Sequence, residues 1–141
     1  MAEGTKITIG PFNNSNPTIA AISQLVQNPS FDHYTENVIT ASISGTYNID
    51  LSTMNIFDLT LLGNTNITFS NPAPSGIATN ATIKFTQGGL GNFTPTFNSP
   101  ATWGDNGSPI WSTTVGLSDW VTMITTRGTA KYSLFLSGTG F

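Results

Sequence analysis

The chain of 141 residues contains no cysteine and few charged residues. Without cysteine, disulfide bonds and thiolate metal sites are excluded. Only 8% of the residues are charged, against about 25% in ordinary soluble proteins. The four cations, Lys6, Lys84, Arg127 and Lys131, are scattered, whereas nucleic-acid binding depends on clustered Lys and Arg that neutralise phosphates. We therefore expect no nucleic-acid partner, and a surface whose weak charge repulsion suits dense protein assembly.

Long apolar segments are missing as well. No run approaches the ~18 consecutive apolar residues of a membrane-spanning helix, so we expect no membrane partner. The first residues, Met-Ala-Glu-Gly-Thr-Lys, lack a basic segment followed by an apolar run. This start predicts that the chain has no signal peptide.

Uncharged polar residues take the place of the missing ions. The chain has 23 Thr, 14 Asn and 14 Ser, together with 14 Gly and 8 Pro. Threonine favours strands, whereas Asn, Ser, Gly and Pro favour turns. The composition predicts an all-β fold, a single antiparallel β-sandwich or jelly roll of eight or nine strands over residues 37–141. The strands are predicted near residues 37–43, 46–51, 55–62, 66–70, 79–87, 92–98, 110–115, 119–126 and 130–137.

The segment from Leu59 to Pro72 has the clearest strand pattern. Apolar residues occupy every second position before and after Gly63-Asn64, at Phe57, Leu59, Leu61, Ile67 and Phe69. This alternation places one side of an extended chain in a core. A two-residue turn at Gly63-Asn64 would pair apolar with polar residues. The parity instead predicts an odd-numbered loop that pairs Leu61 with Ile67, or an arch that carries the chain to a facing sheet.

The same alternation selects sixteen candidates for the hydrophobic core. They are Tyr47, Ile49, Leu51, Phe57, Leu59, Leu61, Ile67, Phe69, Ile83, Phe85, Phe93, Phe97, Val121, Met123, Leu134 and Leu136. Burial of each large side chain contributes roughly 1.5–3 kcal/mol, so this core offsets much of the ordering entropy without a wide margin. Oligomerisation would add to it.

Residues 1–36 do not follow the strand pattern and are predicted to form an N-terminal arm. Asn16-Pro17 is typical of an N-cap followed by proline at the first helical position, and Asn28-Pro29 ends the helix predicted at about 17–27. A helix this short must pack its apolar face, either on the chain's own sandwich or on a partner. The residues proposed to bind a partner are Ile7, Ile9, Phe12, Ile19, Ile22, Leu25, Val26, Phe31 and Tyr34.

No arrangement of chemical groups predicts an active site. His33 is the only histidine, and its neighbour Asp32 does not supply the geometry of a Ser-His-Asp system. One histidine without cysteine is also too few ligands for a transition metal. No local motif pairs two of the seven carboxylates for glycoside hydrolysis. The sequence therefore predicts no catalytic residue, no cofactor and no metal site.

Two glycine-containing segments are predicted to be turns or loose connections. Asp105-Asn106-Gly107 lacks the spaced oxygen ligands of a calcium loop. The segment Gly88-Gly89-Leu90-Gly91 is followed by neither Lys-Ser/Thr nor a helix, which a phosphate loop requires.

Trp103 and Trp111 flank the loop at residues 104–109. Aromatic side chains in loops anchor interfaces or stack on sugars. The alternative is that both rings plug the open end of the sandwich.

A set of strand and turn segments matches a known pattern: Leu59-Thr60-Leu61, Gly63-Asn64-Thr65, Ile67 to Pro72, Gly76, Phe85-Thr86-Gln87, Gly91, Trp103 and Thr113-Thr114. Together they resemble a β-rich module of tailed-bacteriophage virion proteins. That module occurs in tail-fibre-like proteins and in small capsid-associated proteins. The resemblance covers about residues 46–137 and leaves the first 36 residues uncovered.

The resemblance implies a structural virion protein without enzymatic activity. Decoration (cement) proteins are small, are often trimeric and clamp neighbouring major capsid subunits. The implied partners are thus the major capsid protein and two further copies of the chain, on the capsid surface after synthesis in the bacterial host cytoplasm. The alternative is a tail-fibre or receptor-binding module that recognises a host surface glycan through Trp103 and Trp111. A glycan-active enzyme, the third possibility, would need a catalytic pair that no motif supplies.

Overall fold

The computed structural model describes residues 35–98, 100–104 and 107–141. Its strands are β1 Val38–Asp50, β2 Ile56–Ser70, β3 Thr79–Gln87, β4 Pro95–Phe97, β5 Ala101–Trp103, β6 Ser118–Thr125 and β7 Tyr132–Gly138. A short 3-10 helix, Gly128–Ala130, precedes β7.

Several predictions fall outside the described residues. The helix at 17–27, Asp32, His33 and Asp105 are among them. So are the proposed arm contacts Ile7, Ile9, Phe12, Ile19, Ile22, Leu25, Val26, Phe31 and Tyr34.

All seven described strands belong to one mixed sheet. Their order is β1-β2-β3-β6-β7-β5, and β4 pairs with β2. The prediction of an all-β fold is confirmed. The prediction of an antiparallel sheet is wrong, because four pairs are parallel (β1–β2, β2–β3, β2–β4 and β5–β7) and only β3–β6 and β6–β7 are antiparallel. Alternation indicates which face of a strand is buried and carries no information about the direction of its neighbour.

β1 and β2 pass side by side through a shared bulge. Their register is constant over the first six residues of β1 and then shifts between Ile43 and Gly45. As a result, three residues of β2 (62–64) lie opposite the single residue Ser44. Gly45 has φ 72°, in the left-handed region that glycine adopts without steric cost. A bulge of this kind bends the strand that carries it.

The connection lengths show how far β1 must bend. β1 and β2 start side by side, at Val38 and Ile56, although the chain leaves β1 at Asp50. A straight strand of thirteen residues would be roughly 40 Å long, whereas the six peptide steps from Asp50 to Ile56 span at most about 20 Å. β1 therefore folds over at Ser44-Gly45. With its connection it forms one coil, on which β2 stacks as a second.

β3 and β4 form the third level of the stack. β3 pairs with the first segment of β2, from Ile56 to Leu61. β4 pairs with the second segment, from Thr65 to Ile67. Beyond β3, the antiparallel strands β6 and β7 extend the sheet. The stack thus has β1 at one end and the β6–β7 pair at the other.

The coils enclose one hydrophobic core. Leu59, Leu61 and Ile67 are all buried, so odd-numbered side chains face inwards on both segments of β2. The rings of Phe69 and Tyr132 pack with centroids 5.0 Å apart, which brings the second segment of β2 against β7. Of the sixteen predicted core residues, fifteen are buried or packed against the core, and only Leu136 is exposed.

Two predicted turns lie inside strands. Ser44-Gly45 and Gly63-Asn64 lie at the register shift between β1 and β2, so four predicted strands are joined into β1 and β2. The predicted loop that pairs Leu61 with Ile67 is wrong, because the chain runs on through β2 without turning back. The underlying prediction that Leu59, Leu61 and Ile67 all face the core is confirmed. Glycine suits a bulge as well as a turn, here because a Cβ at Gly63 would lie only 3.1 Å from Ser44 Cβ.

The region between β3 and β6 departs most from prediction. Residues 110–115 form a loop and not a strand, and the strand predicted at 92–98 is reduced to β4. β5, which follows Pro100, was not predicted. Strands of three residues carry too little alternation to be detected.

Candidate interaction surface

Aromatic side chains from β4, β5 and the following loop form a cluster. The ring centroids of Phe97 and Trp103 are 5.5 Å apart, and those of Trp103 and Trp111 are 5.8 Å apart. Phe85 of β3 lies 5.9 Å from Trp111. All three contacts are edge-to-face, a geometry that aromatic quadrupoles favour. The cluster ties the loop that ends at Trp111 to the core of the sheet.

The two tryptophans have different environments. Trp111 is 9% exposed, and its Nε1 has no hydrogen-bond partner in the described structure. Its ring therefore belongs to the hydrophobic core and offers little surface for stacking. Trp103 is half-buried and borders a surface groove.

The groove beside Trp103 is lined mostly by residues with apolar side chains and has a volume of about 520 Å³. It is lined by Trp103, Gly104, Gly107, Pro109, Ile110, Leu134, Phe135, Leu136 and Thr139. Ile110 is 93% exposed, Phe135 53% and Leu136 41%. None of these described lining residues is charged. Contiguous exposed apolar groups mark interaction sites on soluble proteins.

Gln87, at the end of β3, fastens two loops through a buried amide. Its Nε2 donates to the carbonyls of Phe93 and Ser112, both at 2.7 Å. The Phe93 N–H donates to its Oε1 at 3.0 Å. Gln87 is only 2% exposed, so its hydrogen bonds are not exchanged freely with water. It thereby fixes the chain on both sides of the aromatic cluster.

Asp119, at the start of β6, fastens the same loop from the other strand. Its carboxylate accepts hydrogen bonds from the backbone N–H and the hydroxyl of Ser112. The Gly140 N–H donates to it as well. Because Ser112 follows Trp111 directly, the carboxylate also holds the indole in place.

Two other described carboxylates, Asp58 and Asp50, serve surface structure. Lys84 Nζ and Asp58 Oδ2 form a partly exposed ion pair at 3.2 Å. Asp50 accepts hydrogen bonds from the Ser52 hydroxyl and N–H and from Asn71 Nδ2. Those bonds, the Ser52 hydroxyl first, hold the pKa of Asp50 below its ordinary value. Across the described ranges, no three His, Cys, Asp or Glu side chains lie close enough to hold a metal ion.

Of the predicted site residues, the structure brings together Trp103 and Trp111. It adds Ile110, Phe135 and Leu136, which sequence reasoning missed. Ile110 and Phe135 were not singled out, and Leu136 was assigned to the core. Their exposure depends on where a loop passes, and local alternation does not report that.

No described helical segment has the length and hydropathy needed to cross a membrane. Comparison with known proteins gave no relative: no family model, no curated protein and no solved structure matches the chain.

Proposed function

We propose that the protein is a structural component of a bacteriophage virion, a decoration (cement) protein that binds neighbouring major capsid subunits and stabilises the shell. Its place is the capsid surface, after synthesis in the bacterial host cytoplasm. The phage assignment rests on the sequence resemblance. The observation that carries a binding role is the exposed Ile110, which stands beside Trp103 and Leu136 on a loop with buried supports.

The energetics of the groove fit a contact that is repeated many times on a shell. Burial of a large apolar side chain contributes roughly 1.5–3 kcal/mol, and Ile110, Phe135 and Leu136 all have area left to bury. Linked copies would turn later contacts into intramolecular ones, which raises the overall affinity without new contacts. The low charge of the chain limits repulsion between crowded subunits.

We also propose that the sheet folds over its core as a two-layer sandwich and that this sandwich acts as a rigid block. Ring contacts across the core support it, with Phe69 against Tyr132 at 5.0 Å and Phe97 against Phe85 at 6.0 Å. We further propose that the protein self-associates. The trimer as its oligomeric state is implied by the sequence resemblance alone.

Capsids purified without the protein provide the test. We expect the full chain to co-sediment with them, and Ile110→Ser to weaken binding about tenfold or more. Leu90→Ser is the matched control, because Leu90 is 94% exposed and lies outside the groove. Equal binding of both variants would contradict the groove as the contact, and no binding of the full chain would contradict the function.

The predicted arm has a separate test. Deletion of residues 1–36 leaves every described strand intact. If the arm lies across capsid subunits, the shortened chain is expected to keep its β-sheet circular dichroism and to lose capsid binding. Unchanged affinity would contradict the arm contacts.

Recognition of a host surface glycan, as in a tail-fibre or receptor-binding module, is the second candidate. The half-buried Trp103 at the rim of the groove favours it, because an accessible indole face stacks on sugars. In this case Trp103→Ala is expected to abolish binding to host cells while the fold is retained. Trp111→Ala is expected to lower the free energy of unfolding first, since that ring is buried.

A further inference from the structure

β1 has one edge that pairs with no strand within the described ranges. The other strands that end the sheet, β4 and β5, have three residues each, whereas β1 has thirteen. β1 thus presents the longest row of backbone donors and acceptors that a further strand could use. This feature lies outside the groove and does not depend on the virion role.

The free edge lacks the residues that normally block pairing. Soluble proteins protect edge strands with lysine, proline or inward-pointing charges. The segment Val38–Asp50 contains no Lys, Arg or Pro, and its only charged residue is Asp50 at the end. A strand of this composition accepts a partner without desolvating a cation.

The core is also incompletely covered at this end of the stack. Ile39, Ala41 and Tyr47 pack against the core yet stay partly exposed. One level further in, Leu59 of β2 has no exposed surface. A strand added to β1 would cover the three side chains in the way that β1 covers β2.

We infer that a second copy of this chain occupies the edge, with the two β1 strands antiparallel around a two-fold axis at Ser44. Because β1 folds over at Ser44-Gly45, a single continuous strand can pair along both of its segments only if it has the same bend. A second β1 has that bend. A two-fold axis along the bisector of the bend exchanges the two segments and keeps the inward side of both strands facing one continuous core.

Pairing centred on Ser44 places inward side chains opposite inward side chains. Ile39 then lies opposite Ile49 of the second copy, and the small Ala41 lies opposite the large Tyr47. A register shifted by one residue would place these apolar residues opposite outward polar ones. The alternation along β1 is therefore complementary to itself.

Charge and strand length favour the same symmetry. Asp50 lies opposite Val38, so the two carboxylates stand at opposite ends of the paired strands and do not repel each other closely. A head-to-tail arrangement would need a second long unpaired edge, and among the described strands the other terminal ones, β4 and β5, are too short to provide one. The closed two-fold pair uses one surface patch twice.

Native mass measured by light scattering over a concentration series tests the pair. The wild-type chain is expected at twice the 14.9 kDa of one chain. Ser42→Lys with Thr46→Lys sets like charges opposite each other across the axis, which is expected to give single chains that still unfold cooperatively. Ser42→Glu with Thr46→Lys sets opposite charges there and is expected to restore the pair.

Three outcomes would overturn the inference. The first is a wild-type mass of one chain, which is expected if another part of the chain covers the edge. The second is a mass of three chains, and the third is a pair that persists when both lysines are introduced. The mass of three chains would agree instead with the trimer that the resemblance implies.

The lack of cysteine in the chain makes the register testable by cross-linking. Ser42→Cys with Thr46→Cys places thiols opposite each other in the two copies, and oxidation is expected to give a covalent dimer on a non-reducing gel. Each single variant places its thiol opposite a hydroxyl and is expected to stay a single chain. A covalent dimer from either single variant, or none from the double variant, would refute this register.

Discussion

The carboxylate of Asp119 binds the backbone and the side chain of Ser112 at the same time. The Ser112 N–H donates to Oδ2 at 2.8 Å, and its hydroxyl donates to Oδ1 at 2.6 Å. Asp119 is 1% exposed, so these charge-assisted hydrogen bonds form away from water. Through Ser112 they set the position of Trp111, and through the Gly140 N–H, 3.3 Å from Oδ1, they hold the segment that follows β7.

Asp119→Ala is expected to lower the free energy of unfolding by roughly 2–3 kcal/mol, because buried donors lose a charged acceptor. Urea denaturation followed by tryptophan fluorescence measures it. Asp58→Ala is the control: its ion pair with Lys84 is partly exposed and is expected to contribute less than about 1 kcal/mol. Equal losses in the two variants would contradict the role of Asp119.

Two leucines of β2 test whether its odd-numbered side chains face the core. Leu59 has no exposed surface and Leu62 is 52% exposed. Leu59→Ala is expected to lower the free energy of unfolding by roughly 2–5 kcal/mol, as buried leucine truncations do. Leu62→Ala is expected to change it by less than about 0.5 kcal/mol. Comparable effects in chemical denaturation would argue against the described packing.

Substitutions at two glycines with positive φ distinguish the cost of a steric clash from the cost of backbone strain. A Cβ at Gly91 (φ 72°) would lie 2.5 Å from the Thr113 carbonyl oxygen, whereas one at Gly116 (φ 87°) would meet no atom within 4 Å. Gly116→Ala is expected to cost roughly 1–2 kcal/mol from strain alone. Gly91→Ala is expected to cost roughly 2–5 kcal/mol, because overpacking is added. Thermal unfolding of both variants measures the difference, and the opposite order would contradict the loop geometry.

Asp50 makes stability depend on pH in the acid range. Hydrogen bonds from Ser52 lower its pKa in the folded state below the ordinary 3.8. The folded state is therefore stabilised above that value, and the contribution is lost as the pH falls through the folded pKa. In Asp50→Asn the contribution is absent, so the stability difference between wild type and variant is expected to shrink on acidification. A difference that stays constant in denaturation series carried well below pH 3.8 would contradict this role.

The alternation of apolar and polar residues predicted which side chains face the core more reliably than it predicted how the strands pair. β3 was predicted at 79–87 and spans Thr79–Gln87, since Ala81, Ile83 and Phe85 alternate between clear turn signals. The coils could not be predicted, because parallel pairing of β1 and β2 depends on a fold-over at Gly45 that looks like a turn in sequence.

The interaction surface was predicted only in part. Trp103 and Trp111 stood out as loop aromatics, and they do meet. Which of the two is buried depends on Gln87 and Asp119, whose roles require contacts across 25 and 7 residues of sequence. Ile110 carried no local signal, because its exposure follows from the path of the loop.

The coil of β1 has a consequence for the order of folding. Residues in its first segment pair with residues 18 positions later, whereas Ala101 of β5 pairs with Tyr132, and Thr79 of β3 with Thr125. Contacts of short sequence separation close at a lower entropic cost and form sooner. The β1–β2 coils are therefore expected to form before the β3–β6 and β5–β7 pairs, so that the edge of β1 that no described strand occupies is displayed while those pairs are still forming.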